Sequence, residues 1–493
     1  VSAAPAPRAP AARAALRPLR ILLAAALLAL ALLAAGALSA SARAAGPPKI
    51  DHLFIIVMEN ENAEDTYAAN PPAPYLANTM RAEGAFIPNY FGIGHQSLDN
   101  YLALISGQPP NLMTQSDCLI YTNFTALTTE ADGVAVGQGC VYPTSVQTIA
   151  NQMEQSGRTW RSYNQDMAGG AALGEATTCR HPTIGAYDQT QLASKTNQYA
   201  ARHDPFVYFH AITDYETCNR NVVDLARLPQ DLKRLATSPE YAFITPDLCA
   251  DGHDATCADE TSPGGFDGIN AFLEEWVPKI KASAAYKDHG AIMVTFDESE
   301  TGAESCCNEV SFPNTINNGG PQPGNGGGRI GAVIDSPCIK PGTETQLSYN
   351  HFSALRWMED NWGLSHLADA STEALRPFGT DVFTNPECTT GLATGPGGGG
   401  GAGGTAGSFG PATKLKITPH KVKAGTMQMF HLSLTSGAVS CREAAIIHFG
   451  GHKTHTSRKG RARIKARVPH PGKFTAVARP KACKLSKATV RAR

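Results

Sequence analysis

Three apolar runs of this chain end in residues that can hold a cation or move a proton. Ile50–Met58 runs into Glu59-Asn60, Tyr241–Thr245 into Asp247, Asp251 and His253, and Gly290–Phe296 into Asp297-Glu298. Runs of this length, rich in β-branched residues, are expected to be buried strands of a mostly parallel sheet. Acids at the carboxyl ends of such strands stand where open α/β sheets place their ligands. A Ser and a His each open a segment of helical periodicity: Ser97 precedes Tyr101, Leu102, Leu104 and Ile105, and Asn350-His351 precede Phe352–Trp362. A Ser before a helix usually serves only as a cap, and one strand-end acid usually only holds a loop. Three such strand ends together with the Ser and the His argue for one site assembled on the edge of a sheet.

The residue types suit phosphoryl transfer, which asks for positioning, an activated nucleophile and neutralisation of charge on the phosphoryl oxygens. Ser97 is the expected nucleophile, at a helix start where backbone N–H groups and the helix dipole favour an anion. Glu59, Asp297 and Glu298 supply hard oxygen ligands for a divalent ion that would ionise the hydroxyl. Asn100, three residues after Ser97 on the same helical side, is expected to donate an N–H to phosphate. His253 and His351 are candidates for a second metal, for acid–base work or for phosphate contacts. His95 receives no role.

The elements that must carry these residues read as an α/β succession. Pro71–Phe86 is expected to be a loop and a covering helix, and Ser145–Gln155 a short helix. Thr159–Tyr163, Pro205–Ile212 and Arg329–Ile334 are expected strands, with helices over Val222–Ala236 and Phe266–Ser283. Residues 391–413 form a Gly-rich linker around GPGGGGGAGG. From Lys414 to Arg493 five or six short alternating segments, separated by Gly and Pro, predict a small β-sandwich.

Charge separates the same modules. The 493 residues carry a net charge of −1, but residues 45–413 hold 18 basic and 42 acidic residues, and 414–493 hold 19 and 1. The net charges are therefore −24 and +18, and opposite fields of this size imply different partners. The basic module is expected to seek anionic surfaces such as lipid headgroups or wall polymers, the alternative being that it docks on the acidic module or only keeps it soluble. Few aromatics leave little for base stacking, so nucleic acid is not expected. Residues 1–44 combine Arg8, Arg13, Arg17 and Arg20, the apolar run Ile21–Leu38 and an A-x-A exit, the pattern of a secretory signal peptide, with an uncleaved anchor as the alternative. The 12 Cys fit bacterial-type export to an extracellular or cell-surface location. Expected pairs are Cys441–Cys483 and Cys249–Cys257, and the adjacent Cys306 and Cys307 are expected to take different partners.

Five blocks in order, IVMENEN, HQSLDNYLALISG, FITPDLCADGHD, GAIMVTFDESE and YNHFSALRWMEDNWGL, span about residues 49–385. On them the chain resembles the bacterial phosphoesterase family of the alkaline-phosphatase superfamily, with its secreted acid phosphatases and phospholipases C. The resemblance implies an α/β, alkaline-phosphatase-like three-layer core. It implies Ser97 as a nucleophile passing through phosphoserine, and Glu59, Asn60, Asp297 and Glu298 as metal positions. Asp251, His253 and His351, with Asp247 more weakly, match positions across the phosphate for a second metal or phosphate contacts. Asp297-Glu298 replaces the Asp-His common in the superfamily, which favours Mg²⁺, Ca²⁺ or Mn²⁺ over Zn²⁺. The C-terminal module resembles bacterial Ig-like domains.

The expected organisation is a signal peptide at 1–44, a catalytic domain at 45–390, the linker at 391–413 and a basic Ig-like domain at 414–493. The expected function is hydrolysis of phosphate esters by a secreted, metal-dependent enzyme of acid phosphatase type. The alternatives are a phospholipase C acting on phospholipid headgroups, or a surface-binding protein with a degenerate hydrolase core.

Overall fold

A computed structural model describes residues 47–385 except 308, 310, 311 and 323, then 388, and those of 413–492 outside 437–445, 450–451, 458, 468–471 and 480–485. The export segment, the linker to residue 412 and the Cys441–Cys483 pair lie outside the described residues. The chain divides into two compact units after residue 392. No helix among the described residues is long and apolar enough to cross a membrane.

The first unit is built on an eight-stranded sheet. Its strands are β1 (His52–Met58), β2 (Ala85–Ile87), β3 (Trp160–Asn164), β4 (Val222–Asp224), β5 (Tyr241–Thr245), β6 (Gly290–Phe296), β7 (Ala332–Asp335) and β8 (Thr343–Glu344). Their order is β8-β2-β7-β6-β1-β5-β3-β4. Only β7 runs against its neighbours. β1, β5 and β6 are buried along their whole length. That explains their unbroken apolar sequences: a parallel sheet covered on both faces has no wet side to alternate against. Three helices matter for the site: α1 (Ser97–Ser106), α2 (Gly265–Ala282) and α3 (His351–Trp362). Asn350 caps α3, its side-chain oxygen accepting from the Ser353 N–H at 2.9 Å.

Two expected elements take other forms. Pro205–Ile212 is not a strand but a 3₁₀ turn, Pro205–Tyr208, followed by a short helix, His210–Thr213. Phe206, Val207, Tyr208 and Phe209 are fully buried, and an apolar run without alternation does not distinguish a buried strand from a buried helix. The helix expected over Val222–Ala236 begins instead as edge strand β4. Asp224 then ends the strand by accepting the Ala226 N–H at 2.8 Å, and Pro229 falls in the first turn of the helix Leu228–Asp231. Five disulfides staple the unit. Cys249–Cys257 is the expected one, while Cys306 and Cys307 bond to each other rather than to different partners.

Several acids buried away from the sheet edge hold protons tightly. Glu359 on α3 accepts the Leu367 N–H at 2.9 Å, and burial pushes its pKa up to about 9. Burial likewise pushes Glu309 to about 8 and Asp369 to about 7. A carboxyl whose folded pKa lies above its unfolded value makes the native state bind more protons, so stability falls as pH climbs between the two values. The melting temperature is therefore expected to decline steadily from about pH 5 towards pH 9. Glu359→Gln keeps the acceptor for Leu367 and should flatten that decline; an unchanged slope in calorimetric scans would exclude Glu359 as a contributor.

The second unit consists of two sheets with one shared core. Its strands are β9 (Thr413–Thr418), β10 (Lys421–Val422), β11 (Met427–Ser436), β12 (Ile446–Phe449), β13 (His452–His455), β14 (Arg461–Arg467), β15 (Gly472–Arg479) and β16 (Ser486–Ala492). One sheet is β9-β11-β14 and the other β10-β16-β15-β12-β13. Leu415, Ile417, Phe430, Leu432 and Ile464 of the first pack with Ile447, Phe449 and Val490 of the second, the alternation read from the sequence.

Candidate active site

Strand register gathers the acids. Met58 pairs with Phe296 across β1 and β6, so Glu59 and Asp297 leave neighbouring strands side by side at the carboxyl edge. The Glu59 N–H donates to the Asp251 carbonyl at 2.9 Å, which draws the turn after β5 onto the same edge. Glu59, Asp251, Asp297 and Glu298 are all buried. Burial first, then the charges of Asp297 and Asp251, holds the Glu59 carboxyl well above its ordinary pKa. Burial brings Asp297 to about 6, with hydrogen bonds from its surroundings pulling the other way.

The Ser97 hydroxyl donates to Glu59 Oε2 at 2.7 Å, and the Tyr101 hydroxyl donates to Glu59 Oε1 at 2.7 Å. Four residues apart on one helix, the two hydroxyls share a face and meet one carboxylate. Ser97 is the first residue of α1, not its cap. The cap position is Gln96, at φ 104° and ψ 134°, a conformation costly for a residue with a Cβ. Two bonds hold this entry: the Gln96 N–H donates to Glu298 Oε1 at 3.1 Å, and the Leu98 N–H to Asp117 Oδ1 at 3.0 Å. Gly92 lets the entry loop lie on the strand end, since a Cβ there would come within 2.8 Å of the Asp297 carbonyl oxygen.

Asn60 follows Glu59 at φ 51°, and its N–H donates to Asp297 Oδ1 at 3.1 Å. His253 lines the open site, with Nδ1 2.9 Å from Asp254 Oδ1 and Nε2 3.5 Å from the Arg202 guanidinium. His351 and Asp247 stand apart from the cavity. His351 is fully buried; its Nε2 lies 2.7 Å from the Asp297 carbonyl and its Nδ1 3.1 Å from the Tyr90 hydroxyl. Burial lowers its pKa to about 4, so the ring is a neutral brace with Tyr90 donating to Nδ1 and Nε2 donating to Asp297. Asp247 Oδ1 accepts the N–H groups of Cys249 and Ala250 at 3.1 Å each, fastening the turn that carries Asp251.

Asn100 does not face the site as expected. Its Oδ1 accepts from the N–H groups of Ile93 and Gly94, at 2.7 and 3.2 Å, and its Nδ2 donates to the carbonyls of Gly94 and Gln96, at 2.8 and 3.2 Å. Every polar atom of the amide is spent on the loop that delivers Ser97, and none remains for a phosphate. Asn100→Ala is expected to cost about 2–4 kcal/mol of stability, because it strands buried backbone groups. The same variant should lower kcat through displacement of Ser97; an unaltered melting temperature would contradict this role.

Four contributors went unread in the sequence. His203, in the 3₁₀ turn Ala201–His203, lies with Nε2 3.3 Å from Glu59 Oε1 and Nδ1 3.3 Å from Asp251 Oδ2, its ring stacked on Tyr101. Burial, reinforced by the charges of Arg202 and His253, pushes its pKa well below the ordinary value. Arg202 is buried beside Asp117, 3.8 Å away. Tyr101 was legible only as an apolar position, although its i, i+4 spacing from Ser97 was a usable signal. His95 contacts Glu298 Oε2 through Nδ1 and the Gly302 carbonyl through Nε2. Burial lowers the imidazole's pKa and raises that of Glu298.

Asp297 Oδ2, Asp251 Oδ2 and both His203 ring nitrogens are buried and have no hydrogen-bond partner among the described residues. The 3.3 Å approaches of His203 lack hydrogen-bond alignment. Each such orphan costs about 1–3 kcal/mol or more unless something occupies it. Open carboxylate oxygens are the donor type a hard divalent cation takes, although no three of these site residues bring ligand atoms within 4.8 Å of one another. Ser97 borders a cavity of about 860 Å³, with Asn60, His95, Glu298 and His253 also in its lining.

Comparison with known proteins fits this geometry. The sequence model of the Phosphoesterase family matches residues 62–365. A phosphate-repressible acid phosphatase of Penicillium chrysogenum is 27% identical over 288 residues, 58% of this chain and 54% of that protein. A phosphatidylinositol-3-phosphatase of Mycobacterium tuberculosis is 23% identical over 321 residues, 65% of this chain and 80% of that protein. A solved alkaline-phosphatase-superfamily protein of Vibrio parahaemolyticus aligns over 66% of this chain and 72% of its own at 14% identity, with a TM-score of 0.35. The chain spans 44–65% of the lengths of the fungal acid phosphatases it matches. The acid phosphatases among these relatives are fungal and the phosphatidylinositol-3-phosphatase is bacterial, so the family is shown without the bacterial qualifier expected of it. A family model that matches residues 62–365, more than half of the chain, gives the classification: the chain belongs to the phosphoesterase family.

Proposed function

We propose that the first unit hydrolyses phosphate esters in the manner of an acid phosphatase, through a phosphoserine formed on Ser97. The observation that carries this reading is the Ser97 hydroxyl held 2.7 Å from a buried carboxylate at the start of α1, on the floor of the cavity. Ser97 Oγ attacks phosphorus, and Glu59 Oε2 is the atom placed to take its proton. Tyr101 fixes the Glu59 carboxyl, with the His203 ring packed close by, and Asn100 fixes the loop that aims Oγ. His253, lining the cavity with Asp254 beside its Nδ1, would protonate the leaving oxygen. Water then cleaves the phosphoserine and restores the hydroxyl.

Glu59, Asn60, Asp297 and Glu298 would hold a divalent cation, Mg²⁺, Ca²⁺ or Mn²⁺ before Zn²⁺, and Asp251 would serve a second cation or the phosphate. When bound there, it supplies a Lewis acid that lowers the hydroxyl pKa and offsets phosphoryl charge. Five disulfides among the described residues favour an oxidising, extracellular setting. The proposed organisation is a signal peptide at 1–44, a catalytic domain at 45–390, a linker at 391–413 and an Ig-like sandwich at 414–493 that carries the enzyme to an anionic lipid or wall surface.

The test is release of nitrophenol from nitrophenyl phosphate and from nitrophenyl phosphocholine, after chelation and after each cation is restored. The proposal expects monoester turnover that chelation removes and one hard cation restores. Inactivity with every cation across the acid and neutral range would overturn it.

A further inference from the structure

The second unit presents one face on which the described residues place cations and no acid. Along β14, Arg461, Arg463, Lys465 and Arg467 are exposed while Ala462, Ile464 and Ala466 point into the core. Along β9, Lys414 and Lys416 are exposed and Leu415 and Ile417 are buried. β11 lies between them and turns Met427, Met429 and His431 outward, with Phe430, Leu432 and Leu434 inward. The register sets the pattern: Met427 stands opposite Arg467, Met429 opposite Lys465, and Ser433 between Lys416 and Arg461.

Strands are about 4.8 Å apart and same-face residues about 7 Å apart along a strand. Six cations therefore form two rows about 10 Å apart, separated by the row of β11. Residues 414–493 contain a single acid, Glu443, which lies outside the described residues. Like charges so placed repel one another, and the arrangement is relieved by an anionic partner.

The shape narrows that partner. The cations lie on one side of a sheet and do not converge on a pocket, which suits an extended surface rather than one small anion. Met427 and Met429 are 53% and 41% exposed among them, apolar groups with no function in water beside Lys465 and Arg467. No Phe, Tyr or Trp side chain is exposed among the described residues of this face, which leaves His431 as its one ring for stacking on a base. From this arrangement we infer that the β9-β11-β14 face docks on a bilayer rich in anionic phospholipid, its cations meeting the headgroups and the two Met side chains entering the headgroup boundary. The inference deepens the reading of this unit as the binding module and is independent of the chemistry at Ser97.

The full chain would be sedimented with vesicles of phosphatidylcholine containing phosphatidylserine, and with pure phosphatidylcholine, at ~0.1 M and ~0.5 M salt. Hydrolysis of nitrophenyl phosphate is followed in the same samples, so a failed surface and a failed catalytic reading are told apart. Binding is expected to the anionic vesicles only, and to weaken steeply at the higher salt. Arg461→Gln/Arg463→Gln/Lys465→Gln should lower partitioning about 100-fold, from ~1 kcal/mol per cation near the surface, while soluble turnover is unchanged. Arg461→Lys/Arg463→Lys should bind like the parent, and Met427→Ser/Met429→Ser should weaken binding at both salts. Equal binding to neutral vesicles, or a triple variant that binds as the parent does, overturns the inference. So does a parent chain that ignores vesicles, as it would if its own acidic unit covered the face, or one that polyphosphate or duplex DNA captures in preference to vesicles.

Discussion

Ser97→Ala is expected to remove turnover while leaving the fold in place. The hydroxyl is the only atom lost, and Glu59 keeps the Tyr101 hydroxyl at 2.7 Å, so stability should change by no more than about 1–2 kcal/mol. The helix that carries Ser97 is buried over all ten of its residues and does not depend on this side chain for a cap. Removing a nucleophile that acts through a covalent intermediate typically lowers kcat by ~10⁴-fold or more. Rapid acid quenching of the parent should also trap a phosphoryl group on the peptide containing Ser97, and the variant should yield none. A variant that retains even a tenth of the parent rate would remove Ser97 from the reaction, whatever its effect on stability.

Asp297→Asn is expected to be nearly as severe, by a different route. Asp297 Oδ1 already accepts the Asn60 N–H, whereas Oδ2 has no hydrogen-bond partner among the described residues. In the variant the amide oxygen retains Asn60, and the NH₂ group is turned to where Oδ2 stood. A donor then replaces an acceptor and one negative charge is gone, so a cation is lost on both counts. Affinity for the restoring cation should fall by at least the ~10–100-fold that loss of an outer partner costs. The readout need not be activity. A ligand present at a hundred times its Kd stabilises the native state by about 2.7 kcal/mol. The parent should therefore show a cation-dependent rise in melting temperature, and Asp297→Asn little or none at the same concentration. An equal rise in both would place the cation elsewhere.

Much of this architecture is written locally. The strands that end in Glu59 and Asp297 are legible because a fully buried parallel strand must be apolar at every position, and the first acid then marks its end. The helix after Ser97 is legible from periodicity, and the basic sandwich from strict alternation, as the inward and outward residues of β14 bear out. The five ordered blocks place the chain in its family. These are features in which neighbours along the sequence share one environment.

What depends on tertiary structure is which polar groups meet, and there local patterns mislead. Asn100 looked like a phosphate donor by helical spacing, but the loop of residues 93–96 folds back on it and consumes its amide. His351 opens α3 as expected, yet its ring turns to the Asp297 carbonyl and Tyr90 instead of the cavity. His203, some 140 residues from Glu59, sits in a short turn with no period and no strand end to announce it. The adjacent Cys306 and Cys307 join each other, a pairing that cysteine spacing did not suggest. Sequence alone determined the strands, the helix and the acids, because burial along one element is a local property. The charge balance around Ser97 was decided only when Met58 came to lie beside Phe296, since the pKa values and orphaned oxygens there arise from groups that distant segments bring within a few ångströms.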